Sequence, residues 1–96
     1  EAMKLWDTTV YGWNIVLAKE MKLWCEKNEV DFEAVYKESA QQYNEGYARL
    51  GNTGVTRAIL NPVDGSIGGT CVIPNCNLLK STISEDVLKY NDSYKW

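Results

Sequence analysis

The stretch AMKLWDTTVYGWNIVLAKEMKLWCEK, residues 2–27, decides the fold. It has no proline and one glycine, and large apolar side chains recur every three or four residues, at Trp6, Val10, Trp13, Leu17, Met21 and Trp24. That spacing predicts one long α-helix. A second set lies on a different side of this helix, at Leu5, Thr9, Gly12, Val16 and Leu23. The apolar arc is wider than one core contact needs, so we expect two packing partners for the helix.

Gly12 lies in the middle of this helix, where glycine costs about 1 kcal/mol relative to alanine. One interpretation is a glycine that the helix simply tolerates. The other is that a second backbone or a ligand approaches the helix closely at this residue.

A second helix is predicted to follow the first after a short turn. Asn28 is expected to end the first helix in a left-handed conformation, and Asp31 to cap the second, whose apolar spacing continues to Gly46. The two helices would form a helical hairpin. Between residues 47 and 70 the periodicity fades and glycines become frequent, which predicts an irregular connection.

Short helices are expected at the C-terminal end. The pattern becomes helical again after Pro74, and Thr82 with Glu85 is expected to form a capping box for a last helix. That helix would carry Val87, Leu88 and Tyr94. The sequence thus predicts a single all-α domain over residues 1–96: a long N-terminal helix, a helical hairpin and short C-terminal helices.

Composition excludes several classes of function. The 96 residues carry a net charge of −3 with no run of Lys or Arg, which argues against binding nucleic acid or an anionic membrane surface. No apolar run reaches membrane-spanning length and none resembles a signal peptide, so a cytoplasmic protein is expected. The chain begins at Glu1 with no cap ahead of the helical pattern, from which we expect a segment of a longer protein.

The residue types also limit the chemistry. There is no histidine, which removes Cys–His and Ser–His–Asp arrangements and the commonest metal ligand. Three cysteines without a fourth ligand make a poor zinc site, so no metal is expected.

The segment GSIGGTCVIPN, residues 65–75, places Cys71 directly after small residues. Small residues let backbone amides approach a ligand, and Pro74 in a first helical turn would put the thiol near a helix N-terminus, which favours a thiolate. The competing interpretation is a small apolar residue beside a bend. Cys25 is expected in the core, and Lys4 by itself reads as a solvated lysine.

Two segments together resemble the central domain of the UDP-glucose/GDP-mannose dehydrogenase family: EAMKLWDTTVYGWNIVLAKEM and, some fifty residues later, GSIGGTCVIPN. In that family a long dimer-forming helix opens with a catalytic lysine, and a Gly-Gly-x-Cys loop supplies the nucleophile. The resemblance implies a fold like the C-terminal domain of 6-phosphogluconate dehydrogenase and a homodimer through the long helix. It also implies an NAD-dependent parent protein that oxidises a nucleotide-sugar, with NAD bound by a separate N-terminal domain.

Carried over residue by residue, the resemblance assigns roles to seven positions. Lys4 would steady the developing oxyanion and Cys71 would attack the sugar aldehyde, while Thr8 stands where the family has an asparagine. The implied substrate-binding residues are Gly68, Gly69, Arg57 and Asn75.

The chain also departs from the family pattern. The Lys-Asp pair that normally follows the cysteine motif is absent, which implies altered chemistry. There is no Gly-x-Gly-x-x-Gly fingerprint, so this domain is expected to hold no cofactor and to be inactive by itself. The alternative is a helical dimerisation or interaction module that keeps the scaffold without catalysis.

Overall fold

The fold is all-α, as the sequence predicts. The computed structural model describes residues 2–51, 54, 57–62, 65–68 and 71–94, and these ranges contain helices and no strand. Helix α1 spans Ala2–Lys27, and a π-helical segment, Glu33–Glu38, leads directly into α2, Ser39–Arg49. Helices α3, Val72–Leu79, and α4, Thr82–Asp92, follow. No helix in the described ranges combines the length and apolar character that a membrane span requires.

The end of α1 differs in one detail from the prediction. The left-handed residue is Glu29, with φ 56°, and not Asn28. Asn28 instead uses its side-chain amide, which donates to the Trp24 carbonyl at 2.8 Å. The Trp24 carbonyl therefore accepts two hydrogen bonds from Asn28, one from its side-chain amide and one from its backbone N–H at 3.0 Å.

The second helix begins as predicted and ends later. Asp31 caps it, because its Oδ1 accepts a hydrogen bond from the Glu33 N–H at 3.1 Å. The helix passes through Gly46, where an added Cβ would meet nothing within 4 Å. It ends instead before Gly51, which has φ +76° and so supplies the left-handed conformation common after a helix.

The last two helices confirm one prediction and correct another. Pro74 lies in the first turn of α3, where its missing N–H leaves no helical bond unmade. The predicted Thr82–Glu85 capping box is wrong by one residue, because Ser81 is the N-cap of α4 and Ser84 its partner. The Ser84 hydroxyl is fully buried and accepts from the Ser81 N–H at 3.0 Å, a contact that an exposed Glu85 does not make.

Contacts divide the chain into two compact units. The first consists of the described residues of 2–17 and 62–94. Its core is a cluster of buried side chains: Val16, Ile67, Val72, Cys76, Val87 and Tyr94. Trp13 joins α1 to α4, since its indole N–H donates to the Ile83 carbonyl at 3.0 Å and its ring meets Tyr90 edge-on.

Gly12 lies where α3 and α4 pack closely against α1. A Cβ there would lie 2.8 Å from Cγ1 of Val72 and 3.3 Å from Cγ1 of Val87. Real Cβ atoms essentially never come as close as the first distance. Gly12 is thus closely approached, but by side chains of α3 and α4 and not by the second backbone or ligand that the sequence suggested.

The two apolar sides of α1 have different environments. Thr9, Gly12 and Val16, from the second set, are buried. The first set is largely exposed, with Val10 and Trp24 each 58% accessible. Within the described residues, α3 and α4 are thus one of the two expected packing partners. The first set stays mostly exposed, except that Trp13 packs on α4 and Met21 is half-buried.

The second unit comprises the described residues of 18–61. Its buried side chains include Cys25, Tyr36 and Ala40, so Cys25 is a core residue as predicted. The Tyr36 ring stacks on Phe32 with a centroid distance of 5.1 Å.

Candidate functional site

Cys71 is the accessible cysteine of the chain. All three cysteines are thiols outside any disulfide, but Cys25 and Cys76 are buried and Cys71 is exposed. Cys71 directly precedes α3, and its carbonyl accepts from the Asn75 N–H at 3.1 Å in the first helical bond. As predicted, the Cys71 thiol lies at the start of a short helix.

Core residues hold the chain on both sides of Cys71. Val72 is buried against Gly12, and Ile67, four residues before the cysteine, belongs to the same core cluster. The Ile67 N–H donates to Oδ1 of Asn91 on α4. Ile67 and Val72, on either side of Cys71 in sequence, are thus both anchored in the core.

The contacts of α3 fix its direction along α1. Val72, its first residue, lies against Gly12, and Cys76, one turn later, contacts Thr9 at 3.7 Å between Sγ and Oγ1. Helix α3 therefore runs antiparallel to α1. Gly12 is eight residues beyond Lys4, which corresponds to about 12 Å of helix axis.

Lys4 and Thr8 lie near the start of α1. Lys4 is exposed, and side chains on a helix tilt toward its N-terminus, so the lysine stem begins by pointing away from Gly12. A role for Lys4 at Cys71 stays a prediction, and it requires the lysine side chain to turn toward Gly12 along α1. The Thr8 hydroxyl donates to the Lys4 carbonyl at 2.9 Å, which leaves its oxygen free to act only as an acceptor toward a water.

Arg57 belongs to the second unit, where its backbone and side chain are both held by α2. Asn44 Oδ1 accepts from the Arg57 N–H at 2.6 Å, and Asn44 Nδ2 donates to the Arg57 carbonyl at 3.0 Å. The guanidinium lies over the Tyr43 ring, 3.7 Å from its centroid. The next residues are held by the Tyr36 hydroxyl, which accepts from the Leu60 N–H at 2.9 Å.

The remaining predicted residues lie beside Cys71 in sequence. Gly68 is exposed, has no positive φ, and would meet nothing within 4 Å if it carried a Cβ. The described residues therefore do not require glycine at this position. Asn75 is half-buried, and Gly69 lies outside the described residues.

Two polar residues that support these segments carry no signal in the sequence. Asn44 and Asn91 are amides on amphipathic helices, a pattern typical of solvent-exposed positions, yet each bonds the backbone of a connecting segment. Within the described residues, no group of three or more Cys, Asp or Glu side chains could hold a metal ion.

Comparison of the chain with family models, curated proteins and solved structures gives no match.

Proposed function

We propose that this chain is the central domain of a nucleotide-sugar dehydrogenase-like protein, with the fold of the 6-phosphogluconate dehydrogenase C-terminal domain, and that Cys71 is its nucleophile. One observation carries the proposal. The two segments of the family resemblance, far apart in sequence, pack together in the first unit through Gly12 and Val72. The residue next to the candidate nucleophile thus packs on α1, which carries the candidate lysine in its first turn.

The chemistry assigned to this chain is addition of a thiolate to a sugar aldehyde. A bond forms between the Cys71 sulfur and the carbonyl carbon, the carbonyl π bond breaks, and the oxygen takes up a proton. Lys4 is proposed to steady the oxygen as its negative charge develops. Arg57, Gly68, Gly69 and Asn75 are the proposed contacts to the nucleotide-sugar.

The chain's own residues do not fit NAD. No glycine fingerprint follows a strand, and the described ranges hold no strand to position one. The proposal therefore assigns the cofactor to a separate dinucleotide-binding domain of the parent protein, and it assigns no oxidation step to this domain alone.

Alkylation kinetics test the nucleophile. Because exposure alone makes Cys71 react faster than Cys25 or Cys76, the matched control is a thiol at another exposed position, Gln42→Cys on α2 in a Cys71→Ser background. Rates of alkylation by iodoacetamide, measured between pH 6 and 9, should be several-fold higher at pH 7 for Cys71 than for the control thiol. The thiolate is the reactive form, and a position near a helix N-terminus favours it. Equal rates and equal pH profiles for the two thiols would remove Cys71 as a nucleophile.

A second candidate function is a helical dimerisation module without catalysis, and the exposed side of α1 favours it. Met3, Val10 and Leu17 are seven residues apart and 72%, 58% and 55% accessible. Trp24 continues the same spacing and is 58% accessible. We define these four residues as the α1 stripe. Apolar residues at heptad spacing are typical of a seam between helices, and we propose a second copy of the chain as the partner.

Sedimentation tests the assembly. The wild-type chain should sediment as a dimer at micromolar concentration, and Val10→Glu should convert it to a monomer by placing a charge in the apolar seam. Tyr11→Glu is the matched control, because Tyr11 is 51% accessible on the same helix but lies about 100° around the axis from Val10. A well-folded wild-type monomer would contradict the dimer, as would equal effects of the two variants.

A further inference from the structure

Two consecutive residues of α2 hold Arg57, one at its backbone and the other at its guanidinium. Asn44 accepts from the Arg57 N–H at 2.6 Å and donates to the Arg57 carbonyl at 3.0 Å, so one amide bonds both backbone groups of the arginine. The guanidinium lies over the ring of Tyr43, 3.7 Å from its centroid. All three residues belong to the second unit.

The Tyr43 ring has a neighbour that restricts it. It contacts the ring of Tyr47, one turn later on α2, at a centroid distance of 4.8 Å, and both tyrosines are half-buried. Arg57, in contrast, is exposed. The arginine therefore rests on a restricted ring and is itself accessible to a ligand.

This arrangement suits the chemistry of a guanidinium that binds a phosphate. Stacking on an aromatic ring uses the face of the guanidinium, whereas its N–H donors point outward from the edge. The edge matches two oxygens of a phosphate, which accept parallel hydrogen bonds. An exposed arginine loses the freedom of several rotatable bonds when it binds such a group, and this loss weakens binding. Contacts that restrict Arg57 before the ligand arrives reduce the loss.

We infer that Tyr43 and Asn44 are positioning residues for Arg57, and that the guanidinium they hold binds a phosphate group of the nucleotide-sugar. The inference rests on the proposed function for the identity of the ligand, but the three-residue arrangement is independent of it. Tyr43 sets the plane of the guanidinium, and Asn44 sets the backbone from which the side chain starts. Neither residue lies in the two segments of the family resemblance.

Five variants separate these roles from general effects on the helix. Tyr43→Leu removes the aromatic face and keeps an apolar side chain, and Tyr43→Phe, which keeps the ring, is its matched control. Asn44→Ala removes both backbone bonds, and Gln42→Ala, at an exposed position on the same helix, is its control. Arg57→Gln removes the guanidinium. Circular dichroism checks that each variant keeps its helices.

The first measurement reads the position of the guanidinium without a ligand. Protons above an aromatic ring resonate upfield, so the side-chain proton shifts of Arg57 report its stacking on Tyr43. The upfield shift should persist in Tyr43→Phe and Gln42→Ala and disappear in Tyr43→Leu. It should also shrink in Asn44→Ala, although the ring is untouched, because the arginine backbone is then released.

The second measurement is the affinity of the full chain for inorganic pyrophosphate, by isothermal titration calorimetry. Arg57→Gln should abolish binding. Tyr43→Leu and Asn44→Ala should each weaken it about two- to tenfold, as expected when a side chain must be ordered on binding. Tyr43→Phe and Gln42→Ala should bind as tightly as the wild type.

Three results would overturn the inference. The first is an Arg57 proton shift that is the same in Tyr43→Leu as in Tyr43→Phe. The second is a wild type that binds no pyrophosphate, or binds it as well without Arg57. The third is an Asn44→Ala variant with unchanged shift and affinity.

Failure of the proposed function looks different. UDP-glucose would then bind no more tightly than pyrophosphate, and Cys71 would react like the Gln42→Cys control. The dependence of pyrophosphate affinity on Tyr43 and Asn44 would persist.

Discussion

Replacing Gly12 by alanine has two opposite effects on the free energy of unfolding: a gain in helix propensity and a loss from overpacking. In a helix interior alanine is favoured over glycine by about 1 kcal/mol. Against this, the new Cβ would lie 2.8 Å from Cγ1 of Val72 and 3.3 Å from Cγ1 of Val87. Both valines are buried, at 5% and 0% accessibility, and β-branched side chains in a helix have essentially one rotamer. Neither methyl group can therefore move away cheaply, and overpacking of this kind costs about 1 to 3 kcal/mol.

Gly46→Ala is the matched control for this prediction. Gly46 is also inside a helix, but a Cβ there meets nothing within 4 Å, so only the gain in helix propensity applies. The propensity gain cancels between the two variants, and the difference in their free energies of unfolding isolates the steric cost, about 1 to 3 kcal/mol. We expect Gly46→Ala to be more stable than wild type and Gly12→Ala to be up to about 2 kcal/mol less stable.

Urea denaturation followed by tryptophan fluorescence measures both variants. Adding Val72→Ala to Gly12→Ala should recover part of the loss, because the shorter side chain vacates the space that the new Cβ needs; the double-mutant cycle should show favourable coupling. Equal stabilisation by Gly12→Ala and Gly46→Ala would refute the close contact between α1 and α3.

Three further predictions concern single backbone positions. Lys80 ends α3 with φ 54° and ψ 41°, so Lys80→Gly should raise the thermal midpoint by relieving about 1 kcal/mol of left-handed strain; a lower midpoint would contradict this. Ser81→Ala should cost about 1 kcal/mol in urea denaturation, whereas Thr82→Ala should be nearly neutral, and the reverse order would restore Thr82 as the cap. Asn44→Ala should speed trypsin cleavage after Arg57 by freeing its backbone; an unchanged digestion rate would contradict the clamp.

Local patterns in the sequence account for most of the helices. The 3.6-residue spacing gives α1 its observed bounds, and Asp31 and Pro74 act as a cap and a first-turn residue as predicted. These signals are readable because each depends on the residue's own backbone and near neighbours. The errors are also local: between adjacent hydroxyl residues such as Ser81 and Thr82, burial of a third residue decides which one caps the helix.

The candidate site was predictable only in part. Cys71 could be singled out because small residues and a proline surround it, and the structure leaves it exposed at the start of α3. Asn91 could not be singled out, because an amide on a helix surface looks the same in the sequence whether it faces water or the Ile67 N–H. Three residues of the α1 stripe, Val10, Leu17 and Trp24, belong to a periodic set in the sequence, but only the fold shows which of the two apolar sides is buried.

The sequence by itself determined that this chain is helical, where its long helix runs, and which cysteine follows a glycine turn, because these follow from periodicity and residue type over a few neighbouring positions. The tertiary structure decided why Gly12 must be small, which face of α1 is buried, and which amide bonds the backbone of Ile67. Those answers depend on contacts between residues 24 to 75 positions apart, which no local pattern encodes.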